Sequence, residues 1–277
     1  MQWLRQLLQR HRPQIPEPLW RDCVARLPFL HRLTTQELAR LKQLSERLLA
    51  AKSMTGAADL ELTDEIAALV AMQAALLVLN LTLDLYRDMT GVVVYPAAFI
   101  VPQKITDHSG VVHEWREPLA GEAVQAGGAV ILSWEDVEPG PVPSSRNVVI
   151  HEFAHKIDML RGHPNGYPPF LAAYHRGLDA RRWQQAFSAA YDDFTRRVDA
   201  LDRRLPHDYD DDNPEHAARY DTLFDVLPMD PYGATNPAEF FAVASEVFFV
   251  QPQPLASDYP EVYRLLAQYY RQDPLQP

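Results

Sequence analysis

The chain has 277 residues, a net charge of −11 and a pI of about 5.3, with 47% hydrophobic and 23% charged residues. This composition is typical of a globular protein and excludes intrinsically disordered and collagen-like chains. The acidic balance argues against a general nucleic-acid binder, which would need a basic surface. Cys23 is the single cysteine, so no intramolecular disulfide can form.

Positive charge is concentrated in residues 1–52, which hold ten Lys or Arg and four Asp or Glu. That balance of +6 leaves −17 for the rest of the chain. Solvated amphipathic helices explain this pattern, and a docking surface for an acidic partner is the alternative. Arg5, Arg10 and Arg12 interrupt any apolar stretch at the start of the chain, so we predict no signal peptide.

The stretch Ile66–Leu83 has 18 uncharged residues, which is long enough to be considered as a membrane span. Gln73 and Asn80 lie inside it, and its flanks are acidic instead of basic. A helix buried in a protein core is the better interpretation, and we predict no membrane segment.

Helices are predicted first along the chain. Thr34 and Glu37 have the spacing of a capping box, which predicts a helix over 35–52. Thr63 can cap a second helix that continues to about Arg87.

A small sheet and further helices follow. Strands are predicted at Gly91–Pro96, Phe99–Pro102, Val111–His113 and Gly128–Trp134. Helices are predicted over 148–160 with Ser144 or Ser145 as N-cap, near 169–204 before an acidic loop, over 237–249, and from Pro260 to before Pro274. Helices, then a small sheet, then helices indicate the α+β class.

The segment His151–His155 reads His-Glu-Phe-Ala-His and lies on the predicted helix over 148–160. Residues four apart share one helix face, so His151 and His155 can hold one metal ion with nitrogens about 3.3 Å apart. Glu152 lies to one side of the pair, where it can act as the base that activates a water. This pattern predicts a hydrolytic metal site.

Such a site needs three protein ligands and one open position. The third ligand of the extended motif is absent, because Arg161 stands at its place. Glu239 and Glu246 lie seven residues apart on the apolar helix predicted over 237–249. A carboxylate there is costly unless it is paired. Position favours Glu239 as ligand and leaves Glu246 as a ligand or as the partner of one.

These residues also carry a resemblance. Residues Tyr232–Ala242 and His151–Asp158 are similar to the zinc-binding segments of anthrax lethal factor. Over almost the whole chain, the sequence resembles a bacterial family, the Mlc titration factor A zinc peptidases. The stretches that match this family are Val94–Pro96, Gly110–His113, Ile131–Trp134, Pro237–Glu239 and Gln272–Gln276.

The resemblance implies a zincin-like fold, mostly helical with a small mixed sheet. It implies a cytoplasmic zinc aminopeptidase in which His151, His155 and Glu239 bind Zn²⁺ and Glu152 is the base. It also implies that His113 binds the metal. The alternative is that His113 is only a polar residue at the end of a strand. The family's partner is the transcriptional repressor Mlc. We expect one peptidase domain over 1–277, with a helical part over 1–90 and the zinc site within 91–277.

Two further residues, Tyr232 and Asp158, each allow two interpretations. Tyr232 matches a toxin tyrosine that stabilises an oxyanion, and a loop tyrosine without a role is the alternative. Asp158 can orient a ligand imidazole, or it can cap the helix or pair with Arg161. By analogy with zincins, Val130–Trp134 is expected to be an edge strand that aligns the peptide.

The predicted function is the hydrolysis of peptides at this zinc site. A non-catalytic module that binds a repressor and has a structural zinc site is the alternative from another class. A metallohydrolase acting on esters or amides other than peptides is the third.

Overall fold

A computed structural model describes residues 14–97, 99–106, 112–119, 121–123, 128–138, 146–206, 209 and 213–276. For residues 99–106, 112–119, 121–123 and 214 it describes the backbone only. The chain divides into two compact units, Met1–Pro139 and Gly140–Pro277. The single peptidase domain over 1–277, with the division at residue 90, stays a prediction.

In the described part of the first unit, the longer helices are α1 (Glu17–Arg26), α2 (Thr35–Ala51) and α3 (Asp64–Leu77). The capping box of α2 is confirmed, since Thr34 Oγ1 accepts from the Glu37 backbone N–H at 3.2 Å and Glu37 Oε2 accepts from that of Thr34 at 2.9 Å. Two donors at the helix start are thereby satisfied.

Helix α3 is surrounded by protein, as predicted for an apolar stretch that is not a membrane span. Residues 68–79 are all buried, and the Gln73 side chain donates to the Leu69 carbonyl at 3.1 Å. None of the helices in the described part of the chain combines the length and apolar character needed to cross a bilayer.

The prediction that this helix continues to Arg87 is wrong, because α3 ends at Leu77. Turns follow, and then a short 3₁₀ helix at Leu83–Tyr86. Thr82 is extended and its hydroxyl accepts from the Asp84 backbone N–H at 3.2 Å. Such a local side-chain bond offers the backbone an alternative to the α-helix.

The main sheet of the described residues is mixed, and its strands are β1 (Ser53–Gly56), β2 (Gly91–Tyr95), β5 (Gly121–Ala123) and β6 (Val130–Ser133). They lie in the order β1-β2-β6-β5. β6 pairs in parallel with β2 and antiparallel with β5. The predicted edge position of Val130–Trp134 is therefore wrong, because β6 has a neighbour on each side.

Strands β3 (Phe99–Thr106) and β4 (Val112–Leu119) form a separate antiparallel pair. Both are longer than the predicted Phe99–Pro102 and Val111–His113. The parts of these strands that were not predicted contain polar residues such as Gln103, Lys104 and Glu114. Their sequence therefore lacks the apolar pattern from which a strand is predicted. A short helix, α4 (Trp134–Val137), follows β6.

The second unit is helical in its described part. It comprises α5 (Val148–Asp158), α6 (Ala180–Asp202), α7 (Pro214–Phe224), α8 (Pro237–Val250), α9 (Pro252–Asp258) and α10 (Pro260–Tyr270). Aromatic rings from α6, α8 and α10 form its core, including Trp183, Phe241 and Tyr269. Buried aromatic side chains remove large areas from water, and this core fixes α8 among its neighbours.

Helices predicted over 148–160, over 237–249 and from Pro260 are confirmed. Of the region near 169–204 in which helices are predicted, only Ala180–Asp202 is helical (α6), after turns that include Gly177 at φ +92°. The acidic loop predicted after it lies mostly outside the described residues. The α+β class, mostly helical with a small mixed sheet, is confirmed.

His175 makes the stability of this unit depend on pH. It is buried, its Nδ1 accepts from the Leu171 backbone N–H at 2.8 Å, and its Nε2 faces the Tyr269 carbonyl at 3.0 Å. This pattern requires neutral imidazole with the proton on Nε2. Burial lowers the pKa of His175, so the unfolded chain takes up a proton at a higher pH than the folded one does.

We therefore expect the contribution of His175 to be complete above pH 6.5 and to fall with pH below it, by at most about 1.4 kcal/mol per pH unit. Thermal unfolding of wild type and His175→Gln between pH 7.5 and 5 measures this. The variant should lose less stability on acidification, whereas His163→Gln, at an exposed position, should behave as wild type. Equal losses in wild type and His175→Gln would contradict the assignment.

Candidate metal centre

Helix α5 carries the His-Glu-Phe-Ala-His motif. Asn147 is its N-cap, with Oδ1 accepting from the Ile150 backbone N–H at 2.9 Å. The prediction of Ser144 or Ser145 as the N-cap is wrong, because Asn147 occupies that position directly before Val148. One helical turn separates His151 from His155, and their Nε2 atoms lie 3.1 Å apart.

The first turn of α8 brings a carboxylate to these two nitrogens. Asn236 caps α8, and its Oδ1 accepts from the backbone N–H groups of Ala238 at 2.9 Å and Glu239 at 3.0 Å. Glu239 Oε2 lies 3.0 Å from His151 Nε2 and 3.1 Å from His155 Nε2. The three atoms thus form a nearly equilateral triangle.

Glu246 lies behind His151, two turns further along α8. Its Oε1 is 2.7 Å from His151 Nδ1, and its Oε2 accepts from the Asn147 backbone N–H at 2.5 Å. A proton on Nδ1 leaves the lone pair of Nε2 directed toward the triangle. Of the two alternatives for Glu246, the structure favours the partner of a ligand over the ligand itself.

The charges at this centre favour a cation. Burial opposes the ionisation of Glu239, but hydrogen bonds from His151, in the form with a proton on both ring nitrogens, and from His155 outweigh it and lower its pKa to about 2. Burial also disfavours the protonated form of His151, yet Glu239 and Glu246 raise its pKa well above the ordinary value. Positive charge is therefore stabilised between the imidazoles and the carboxylates.

Glu152 is buried beside the triangle and is not part of it. Burial raises its pKa, against the opposing effect of His151 and His155. Its Oε2 has no hydrogen-bond partner among the residues that the structure describes. A buried carboxylate oxygen without a partner is costly and is available to a proton.

These side chains fit a metal ion. Tetrahedral ligands at about 2.0–2.1 Å from zinc are roughly 3.3 Å apart, close to the observed 3.0–3.1 Å. Within the described ranges, one potential ligand atom from each of His151, His155 and Glu239 lies within 4.8 Å of the other two, which is close enough for the three to share an ion. Two imidazoles, one carboxylate and an open fourth position form the donor set of catalytic zinc sites.

Comparisons with known proteins agree with this geometry. Residues 1–271 match the family described as glucose-regulated metallo-peptidase M90. The chain is 34% identical to Mlc titration factor A of Salmonella arizonae over 258 residues, which are 93% of this chain and 92% of that protein. It is 32% identical to Mlc titration factor A of Escherichia fergusonii over 263 residues, which are 95% and 89%.

The chain belongs to the M90 metallopeptidase family. An uncharacterized protein of Synechocystis is also similar, at 34% identity over 274 residues, covering 98% of this chain and 88% of that protein. The resemblance inferred from the sequence is thereby confirmed, and membership of M90 implies a metal cofactor.

The remaining predicted residues of this M90 chain have different positions. The ring of Tyr232 is centred 6.0 Å from that of His151, and the residue is 50% exposed. His113 lies on β4 opposite Ile105, and its side chain is outside what the structure describes. Its role as a ligand stays a prediction.

Asp158, the last residue of α5, has a contact that neither sequence interpretation foresaw. Its Oδ2 accepts from the backbone N–H groups of Asn165 and Gly166, both at 2.7 Å. Backbone donors seven and eight residues away leave no side-chain pattern in a sequence, so this contact could not be predicted.

Proposed function

We propose that this chain is a zinc-dependent peptidase of the aminopeptidase type. The observation that supports it is the triangle of His151, His155 and Glu239 beside the unpartnered oxygen of Glu152, in a metallopeptidase family. These three side chains would hold zinc. When bound, zinc supplies a Lewis acid that makes water easier to deprotonate and polarises a carbonyl.

Glu152 is the proposed general base and acid. Its carboxylate takes a proton from the attacking water and passes it to the leaving amine. The position of Glu152 beside the ligand triangle, with one oxygen that has no partner among the described residues, suits both halves of this transfer. Glu246 keeps His151 oriented through Nδ1.

Tyr232 is proposed to stabilise the reacting carbonyl. A phenol can donate a hydrogen bond to an oxygen that develops negative charge. Such a donor stabilises the transition state most when it is already in position before the reaction. The Tyr232 ring lies next to that of His151 and is half-exposed. Both observations support contact between Tyr232 and a substrate. His113 is kept as a proposed additional metal position.

The surroundings of Tyr232 are consistent with a substrate that has a free amino group. A groove of about 1170 Å³ reaches Tyr232 from between α6 and α7. The carboxylates on its lining belong to Asp199, Asp202, Asp221, Asp225 and Asp230. Arg146 is 3.3 Å from Asp230 and offsets one of them. A cleft of one charge sign attracts ligands of the other.

Metal removal and reconstitution test the proposal. Cleavage of a short peptide with a free amino terminus should stop after treatment with a chelator and return with zinc, because the metal supplies the Lewis acid. The same peptide with an acetylated amino terminus should be cleaved at least about tenfold more slowly if the charged amine is bound. Product masses identify the bond that is cut.

Cleavage that continues without metal would contradict a metallopeptidase. Equal rates on free and acetylated peptides would contradict the aminopeptidase assignment while leaving metal-dependent cleavage of peptides. Hydrolysis of esters or simple amides without cleavage of any peptide would favour the non-peptide hydrolase.

A second role is proposed from the relatives named Mlc titration factor A. That name supports binding of an Mlc-type repressor, and the excess of basic over acidic residues in 1–52 would favour an acidic partner. Both roles are compatible with a cytoplasmic location, which we retain as part of the proposal.

A further inference from the structure

The loop formed by residues 162–167 joins two parts of the metal centre. At one end, Asp158 Oδ2 accepts from the backbone N–H groups of Asn165 and Gly166, both at 2.7 Å. Asp158 is only 3% exposed, so water competes little for these bonds. The loop is thereby attached to the last residue of the helix that carries both histidines.

The same loop contacts the first residue of α8. Gly166 has φ +79°, and a Cβ built there would lie 2.4 Å from the Pro237 carbonyl oxygen. No side chain fits that space. The Gly166 carbonyl accepts from Trp183 Nε1 at 3.1 Å, and Trp183 is itself packed in the aromatic core. Gly166 is thus held against Pro237 from a second side.

Pro237 stands two residues before Glu239, in the same helical turn. A displacement of Pro237 therefore moves the Glu239 carboxylate relative to His151 and His155. The ligand atoms lie 3.0–3.1 Å apart, so a shift of a few tenths of an ångström would change the fit around an ion. Side chains outside the ligand set commonly fix ligands in this way.

We infer that Asp158 is a positioning residue that sets the place of Glu239 through the 162–167 loop. The inference rests on the proposed function, because it needs Glu239 to be a metal ligand. Direct action on the nearer histidine is not what the contacts indicate. Asp158 Oδ1 and His155 Nδ1 are both without hydrogen-bond partners in the described part of the chain, so they do not bond to each other.

Two glycine variants test the contact with Pro237. Gly166→Ala places a methyl group against the Pro237 carbonyl, whereas Gly177→Ala adds the same methyl at φ +92° with no atom within 4 Å. Both substitutions strain the backbone, but only the first displaces α8. We expect Gly166→Ala to weaken zinc binding roughly 10–100-fold, the usual cost of disturbing the support of a ligand, and Gly177→Ala to bind as wild type.

The measurements are the zinc dissociation constant by competition with a chromophoric chelator and the visible absorption of the cobalt-loaded proteins. The cobalt spectrum reports ligand geometry, so it should change in Gly166→Ala and not in Gly177→Ala. Thermal unfolding of the metal-free proteins checks that each is folded. Equal zinc affinity and equal spectra for the two variants would overturn the inference.

Asp158→Asn and Asp158→Ala test the other end of the loop. Asparagine keeps one oxygen that can accept from both backbone N–H groups, so it should retain zinc affinity and the cobalt spectrum. Alanine keeps none and should resemble Gly166→Ala. If asparagine weakens zinc as much as alanine does, the charge of Asp158 acts directly and the route through the loop is wrong. This pair decides the question if Gly166→Ala does not fold.

Failure of the proposed function has a different signature. Wild type that takes up no zinc, or a Glu239→Gln variant that binds zinc as wild type does, would contradict the ligand set and with it this inference. Normal zinc binding by wild type and weak binding by Glu239→Gln, together with unaffected Gly166→Ala and Asp158→Ala, would contradict the positioning role alone.

Discussion

Replacing Glu152 with glutamine is expected to lower kcat for peptide cleavage by about 10²–10⁴-fold, the usual contribution of a general base. Glutamine has nearly the shape of glutamate but cannot accept and return the proton. Steady-state kinetics on a peptide that wild type cleaves measure the effect. Glu215→Gln, at an exposed position on α7, is the matched control and should retain wild-type kcat.

The same variant separates the catalytic role from the role as a repressor-binding module. Glu152 lies beside the ligand triangle and is not a member of it, so Glu152→Gln should retain zinc. It should also bind a purified Mlc-type repressor as wild type does, because binding needs no proton transfer. Undiminished peptide cleavage by Glu152→Gln would refute the proposed mechanism.

Glu239→Gln is expected to cause the largest loss of metal affinity. It replaces the carboxylate that lies 3.0 and 3.1 Å from the two imidazole nitrogens with a neutral group. The loss should exceed the roughly 10–100-fold typical of a residue that only supports a ligand. The zinc content after dialysis and the dissociation constant from chelator competition measure it.

Glu246→Gln is the matched comparison for this experiment, because it lies on the same helix and contacts His151 from behind. It keeps all three ligands and has one oxygen left for two N–H donors, so its loss of affinity should be the smaller one. A larger loss in Glu246→Gln than in Glu239→Gln would reverse the assignment of ligand and supporting residue.

The parts of the site that could be predicted are those that the sequence encodes locally. The spacing of His151 and His155 places both on one helix face, and a carboxylate such as Glu239 on an apolar helix needs a partner. Position favoured Glu239 without excluding Glu246, because residues seven apart lie on the same helix face and the packing of α8 against α5 distinguishes them.

The parts that could not be predicted depend on contacts between distant residues. The interior position of β6 follows from its pairing with β2 and β5, and a run of apolar residues does not say how many neighbours a strand has. Helix α3 ends at Leu77 although the apolar pattern continues to Leu83, and the backbone N–H of Val78 bonds to carbonyls within the last turn; an apolar run does not indicate where such a turn occurs. Helix α9 was missed because its seven residues are too few to show a helical pattern.

The carboxylate of Glu246 receives the imidazole N–H of His151 and the backbone N–H of Asn147 at the start of α5. The orientation of the imidazole and the start of α5 therefore depend on the same carboxylate, through its two oxygens. A movement of that carboxylate disturbs both, so the precision of the metal site is linked to the integrity of a helix end.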